Sequence, residues 1–265
     1  MELFLFTTDI DFALRAEKAG IDGIIVDWEH IGKEERQRQY DTETNYDTPN
    51  DVHKLSKVLK IPVIVRVNKL GEYTPGEVDC AIENGAKILM LPIARTIRDV
   101  EKFLDIVSKR AKTIIQIETV DLISQVSELA SLNWDYVYIG LHDLMIERGG
   151  RTIWEAVLDG TVKKIFERLK GRSCGFGGIT VLGGGDPINF EYILHELTRL
   201  KCSLSFLRRT FKKEVMDRNL EAEITALRAF IEASSQRGPR AMQYDYNRLC
   251  DSIRRHIQAL SLVDQ

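Results

Sequence analysis

Glu118 and Asp143 each follow a short apolar run, Thr113–Ile117 and Tyr136–Ile139 respectively. If these runs are adjacent strands, their ends bring the two carboxylates together, and such a pair repels unless something intervenes. A hard divalent cation, Mg²⁺ or Mn²⁺ with Co²⁺ as a further option, neutralises the pair and leaves coordination positions for water and a bidentate substrate. The same placement also suits two structural partners of nearby Arg or Lys, because ion pairs gather in clefts as well. Other chemistry-bearing residues end further apolar runs: Asp27-Trp28-Glu29-His30, Arg66-Val67-Asn68, Gly140-Leu141-His142-Asp143 and Arg208-Arg209. An imidazole can move a proton near neutral pH, and a fixed guanidinium can hold an oxyanion. His30 alone would read as a capping or packing residue. With Arg66 and Glu118 in register it reads as catalytic. His142 suits either a substrate contact or a supporting hydrogen bond.

Something must hold these residues at one mouth. Eight short runs rich in branched residues recur, at Leu3–Phe6, Gly23–Asp27, Val63–Val67, Ile88–Leu91, Thr113–Ile117, Tyr136–Ile139, Cys174–Gly177 and Ser203–Leu207. Helical patterns follow at Ile10–Ala19, Asn50–Leu59, Gly76–Asn84, Thr96–Ser108, Leu122–Leu129, Ile153–Lys170, Ile188–Leu200 and Glu214–Ser234. Eight strand-then-helix units predict an α/β protein, a (β/α)8 TIM barrel over residues 1–236, whose chemistry belongs to the loops after the strands. An open doubly wound sheet would carry a glycine-rich turn after its first strand, where this chain has Thr7-Thr8-Asp9. Residues 237–265 add a helical tail whose apolar stripe, Tyr246, Leu249, Ile253, Ile257 and Leu260, needs a surface of its own chain or of a neighbouring subunit. A homo-oligomer is therefore expected.

Smaller features leave alternatives open. The glycines between Gly175 and Gly185 suit a phosphate cradle or a flexible lid, and Arg208 and Arg209 alternate so that one of them can face the mouth. The charged run Lys33 to Arg38 reads as a solvated face.

With 37 basic and 40 acidic side chains in 265 residues, the net charge of −3 gives no reason to expect a nucleic-acid or membrane partner. No apolar stretch approaches the ~18 residues of a spanning helix, and Met1–Phe6 does not read as a signal peptide. A cytoplasmic protein is expected. Cys80, Cys174, Cys202 and Cys250 are scattered, which predicts reduced thiols rather than a zinc cage or disulfide framework.

A set of motifs occurs in a telling order: Ala19-Gly20-Ile21-Asp22, Asp27-Trp28-Glu29-His30, Val65-Arg66, Glu83-Asn84-Gly85-Ala86 with Leu91-Pro92, Gln116-Ile117-Glu118-Thr119, and Ile139-Gly140-Leu141-His142-Asp143-Leu144. In these the chain resembles the HpcH/HpaI aldolase and citrate lyase family of the phosphoenolpyruvate/pyruvate barrel superfamily, roughly from Phe12 to Phe211. The resemblance implies a class II aldolase-type carbon–carbon lyase that stabilises the enolate of a 2-oxo acid such as pyruvate, with an aldehyde as second substrate. It implies Glu118 and Asp143 as metal ligands, Arg66 facing the enolate oxygen, His30 as acid/base, Glu83 as its supporting carboxylate, and the Gly140, Leu141 and His142 backbone holding the substrate carboxylate. The chain departs from the family in carrying His142 beside the metal ligand and a long charged segment, Gly32 to Thr48. Two rivals are a citrate-lyase-type lyase of a CoA thioester, for which no basic cluster stands near the motifs, and a silent barrel serving as a binding or assembly subunit. Metal content of the purified protein separates the latter.

Overall fold

A computed structural model describes residues 1–33, 47–169 and 171–263 of the chain. Eight parallel strands close into a barrel in sequence order. They are β1 (Glu2–Phe6), β2 (Gly23–Asp27), β3 (Val63–Arg66), β4 (Ile88–Leu91), β5 (Lys112–Ile117), β6 (Tyr136–Ile139), β7 (Cys174–Phe176) and β8 (Leu204–Leu207). Helices α1 (Ile10–Ala19), α2 (Pro49–Val58), α3 (Thr74–Glu83) and α4 (Ile97–Val107) follow the first four strands in turn. Capping explains their starts: Asp9 accepts from the Phe12 amide at α1, and Thr96 and Asp99 form a reciprocal capping box at α4.

Several helical patterns are subdivided. Leu122–Leu129 becomes α5 (Val120–Ser124) and α6 (Val126–Leu129), which meet at Gln125. The Ile153–Lys170 pattern becomes α8 (Glu155–Leu158) and α9 (Thr161–Arg168), parted at Gly160, whose φ of 80° ends one helix and starts the next; Lys170 lies outside the described residues. Gly140-Leu141-His142-Asp143 is no loop: it opens α7 (Leu141–Arg148). The chain runs on through α10 (Phe190–Arg199), α11 (Arg209–Glu214), α12 (Leu220–Ser235, capped by Asn219) and α13 (Pro239–Val263).

Helix α13 corrects the ground given for an oligomer. Leu249 and Ile253 are fully buried, and the helix packs on α10 and α8 of its own barrel. Arg199 on α10 stands 4.4 Å over the Tyr246 ring, and Arg248 donates to the Tyr192 hydroxyl at 2.6 Å. The stripe finds its surface within the chain. Among the described residues no helix is long and apolar enough to cross a membrane, and the four cysteines are free thiols.

The core has two parts, as a filled barrel requires. One lies between strands and helices. The other lies inside the barrel and is built from Phe4, Ile25, Ile64, Ile88, Met90, Ile114, Tyr136, Tyr138, Leu204 and Phe206. Tyr138 and Phe206 stack there with ring centres 3.6 Å apart. Gly175 on β7 lets the β8 backbone approach closely where the two strands pair, since a Cβ there would lie 1.9 Å from the Leu204 carbonyl oxygen.

Candidate active site

Side chains alternate faces along a strand, so two residues beyond each inward apolar side chain the chain again points inward. At the carboxyl end of the barrel those positions turn polar: Ile25 gives way to Asp27, Ile64 to Arg66, Ile114 to Gln116 and then Glu118, and Phe206 to Arg208. A cavity of about 510 Å³ opens above this layer, lined among others by Lys33, Arg66, Gln116, Glu118, Tyr138 and Arg208. Gly140, Leu141, His142 and Asp143 also line it. Six of the eight residues expected from the sequence therefore meet at one mouth: Arg66, Glu118, Gly140, Leu141, His142 and Asp143.

Glu118 is 2% exposed and Asp143 8% exposed. Glu118 Oε1 accepts from the Ile93 amide at 2.7 Å and Oε2 from Gln116 Nε2 at 3.2 Å. The Ile93 backbone stands at φ 52°, a strained conformation for a branched residue, and it is this residue whose amide Glu118 receives. Gly140 permits the carboxylate to approach, because a Cβ there would lie 2.2 Å from Glu118 Oε2. Burial first, then the charges of Asp143 and Glu29, push the Glu118 pKa well above the ordinary carboxylate range against the Ile93 amide and Arg66. Gln116 Oε1 is buried and has no hydrogen-bond partner among the described residues, and Gln116 lines the same cavity.

Among the described residues, the opposite wall holds a buried network of four charges. Arg66 grips Asp27 with two parallel bonds, Nε to Oδ1 at 2.8 Å and Nη2 to Oδ2 at 2.7 Å, and its Nη1 lies 3.3 Å from Glu29 Oε2. Lys33 Nζ donates to Asp27 Oδ2 at 2.9 Å and lies 3.7 Å from Glu29 Oε2. Burial favours a protonated Asp27, but Arg66 and Lys33 outweigh it and hold its carboxyl well below the usual range. Burial likewise opposes charge on Arg66, and Asp27 and Glu29 overcome it, so the guanidinium is held charged more firmly than usual. The paired, charge-assisted bonds among these four side chains hold the wall in a fixed geometry.

Three expectations are corrected by this geometry. His30 is exposed and outside the cavity lining, and its Nδ1 bonds the Trp28 carbonyl at 2.8 Å. Glu83 is an exposed residue at the carboxyl end of α3, where the chain turns back towards the start of β4, on the rim opposite the mouth. The carboxylate that steadies the His30 segment is Glu77, which takes Asn68 Nδ2 at 2.5 Å while Asn68 Oδ1 receives the His30 and Ile31 amides at 2.9 and 2.8 Å. Lys33 is not part of a solvated face: its side chain is 1% exposed. Residues 34–46 of the charged segment lie outside the described residues.

Gln116 and Lys213 were given no role from the sequence, Lys33 was read as solvated, and Asp27, Glu29 and the Arg208-Arg209 pair were marked as chemistry-bearing without a specific partner. Counting in twos from Ile114 would have found Gln116, and from Phe206 it selects Arg208 of the Arg208-Arg209 pair. Arg208 does line the cavity, and Lys213 joins it from α11; the Arg209 side chain lies outside the described residues. Arg208 pairs with Glu214 at 3.2 Å. Among the described residues no group of three or more His, Cys, Asp or Glu side chains is arranged as a metal cage.

Fold and site together define an α/β barrel with a polar, acid-bearing mouth. No protein-family model matches the chain, and no curated protein matches it in sequence. Among solved structures, RipC from Yersinia pestis is 14% identical with a TM-score of 0.59, over 91% of this chain and 98% of that one. Citrate synthase SbnG is 17% identical with a TM-score of 0.58, over 86% of this chain and 93% of that one. At such identities the likeness shows the barrel fold alone.

Proposed function

We propose that this protein is a divalent-metal-dependent carbon–carbon lyase of the class II aldolase type, acting on a 2-oxo acid such as pyruvate and an aldehyde. The observation that carries this reading is the pair of buried carboxylates, Glu118 and Asp143, lining one cavity with the Arg66 guanidinium. Their mutual repulsion, and the Gln116 Oε1 that has no partner among the described residues, are what a hydrated divalent cation would relieve. Glu118 and Asp143 would hold Mg²⁺ or Mn²⁺, which would supply Lewis-acid polarisation of the substrate ketone.

The chain's own groups do the rest. The first turn of α7 puts a helix N-terminus beside the acids, where a substrate carboxylate is well held. Arg66, kept charged and fixed in direction by Asp27, stabilises the negative charge that develops on the ketone oxygen as the carbon–carbon bond forms or breaks. Stacked Tyr138 and Phe206 offer an apolar floor for the acceptor chain.

Arg66→Lys keeps the charge but loses the paired grip on Asp27, so turnover is expected to fall ~10–100-fold, part of the ~10²–10³ that removal of one preorganised donor costs. Mn²⁺ affinity, measured by calorimetric titration, should change far less. Equal turnover in both proteins would remove Arg66 from the chemistry.

A second reading, a lyase or synthase of a CoA thioester, gains support from Arg208 and Lys213 at the mouth, cations that suit a polyanionic substrate. Product analysis with Mn²⁺ separates the two. Condensation of pyruvate with aldehydes supports the aldolase, whereas turnover confined to acetyl-CoA with a 2-oxo acid favours the thioester enzyme.

A further inference from the structure

An aldol cleavage needs a group that takes the proton of the hydroxyl beside the breaking bond, and that group must reach the cavity. His30 does not line it. Lys33 does, on the wall that holds Arg66. Its backbone amide is tied to the His30 carbonyl at 3.1 Å, and its Nζ is aimed by Asp27 at 2.9 Å and by Glu29 at 3.7 Å. Both carboxylates are also engaged by Arg66, so neither belongs to Lys33 alone. Prominent among the charged groups that act on Lys33 are Asp27 and Glu29 at the end of β2, Asp47 ahead of α2, and Arg66 on β3. Glu118, Asp143, His142, Arg208 and Lys213 share the cavity. Burial, and then the Arg66 charge, outweigh the two carboxylates and lower the Lys33 pKa, which brings a neutral amine within easier reach.

We propose that Lys33 is the residue that moves the proton in the bond-making and bond-breaking step. In cleavage, its neutral amine takes the proton from the hydroxyl on the carbon next to the breaking bond. The oxygen's electrons close the aldehyde carbonyl, and the carbon–carbon electron pair passes to the 2-oxo acid as its enolate, beside Arg66. In synthesis the ammonium returns the proton to the new alkoxide, so no oxidant or further reactant is needed. The assignment rests on the lyase reading for the identity of the bond.

Lys33→Arg is the decisive variant, because a guanidinium retains the ion pairs with Asp27 and Glu29 yet cannot give up its proton at any working pH. Its melting temperature and Mn²⁺ affinity should stay close to those of the unmodified protein. Its aldol turnover should fall ~10²–10⁴-fold, the usual worth of a positioned acid–base group. Lys33→Ala should recover part of its turnover with added methylamine, with a pH profile that follows the added amine. A nitrogen-detected NMR titration, with the Lys33 signal assigned by its absence in Lys33→Arg, should show Nζ losing its proton below the ordinary lysine value of ~10.4. Full turnover in Lys33→Arg, or titration at or above ~10.4, overturns the proposal. Absence of pyruvate C3 exchange in the unmodified protein overturns the lyase reading, and with it the bond assigned to Lys33, even where the titration is lowered.

Discussion

Glu118→Gln and Asp143→Asn are each expected to weaken Mn²⁺ binding by more than ~100-fold and to abolish turnover while leaving the barrel folded. Loss of a mere supporting partner of a metal ligand typically costs ~10–100-fold in affinity, so removal of a ligand costs more. Folding should survive because both acids lie at an open mouth rather than in a structural cage. Neutralising Glu118 also removes one member of a repelling buried pair, so Glu118→Gln is expected to melt no lower than the unmodified protein. Calorimetric titration with Mn²⁺ and a thermal melt check both statements. Unchanged binding in both variants would show that no metal sits between them.

Asp27→Asn should be the most destabilising single change at the mouth. Asp27 is fully buried and neutralises two cations, Arg66 and Lys33. Removing one partner of a buried ion pair leaves uncompensated charge and costs about 3–5 kcal/mol. The pH dependence has a definite sign. Because the folded protein holds the Asp27 carboxyl below its unfolded value of ~3.9, the unfolded chain binds more protons in that window. The pairing therefore contributes fully above that value and is lost as the pH falls through the folded one. Urea unfolding at a series of pH values should show a constant gap between the two proteins above about pH 5 that narrows below about pH 4. A gap that widens on acidification would contradict the network.

Much of this architecture was legible in the sequence because each strand of a closed parallel barrel is buried on both faces and so reads as an uninterrupted apolar run. Gly23–Asp27, Ile88–Leu91 and Tyr136–Ile139 are found with the bounds expected. Glu118, Asp143 and Arg66 were legible for the same reason, since each follows or ends such a run. Glu83 was not, because a motif in the right order along the chain says nothing of which rim it occupies, and the end of a helix returns to the rim opposite the strand ends. Lys33 escaped because charge in a local run was weighed without the buried acids Asp27 and Glu29 that draw it inward. Helix α7 escaped because Gly140 reads as a loop residue, whereas its lack of a side chain serves the close approach of Glu118.

Solvent deuterium entering C3 of pyruvate, followed by proton NMR, tests the central claim most directly because it reports enolisation without requiring the aldehyde to be known. The account predicts exchange that requires Mn²⁺ or Mg²⁺, disappears on chelation, and is absent from Glu118→Gln and Asp143→Asn. Exchange that persists at full rate in those variants, or none in the metal-supplemented unmodified protein, would contradict it.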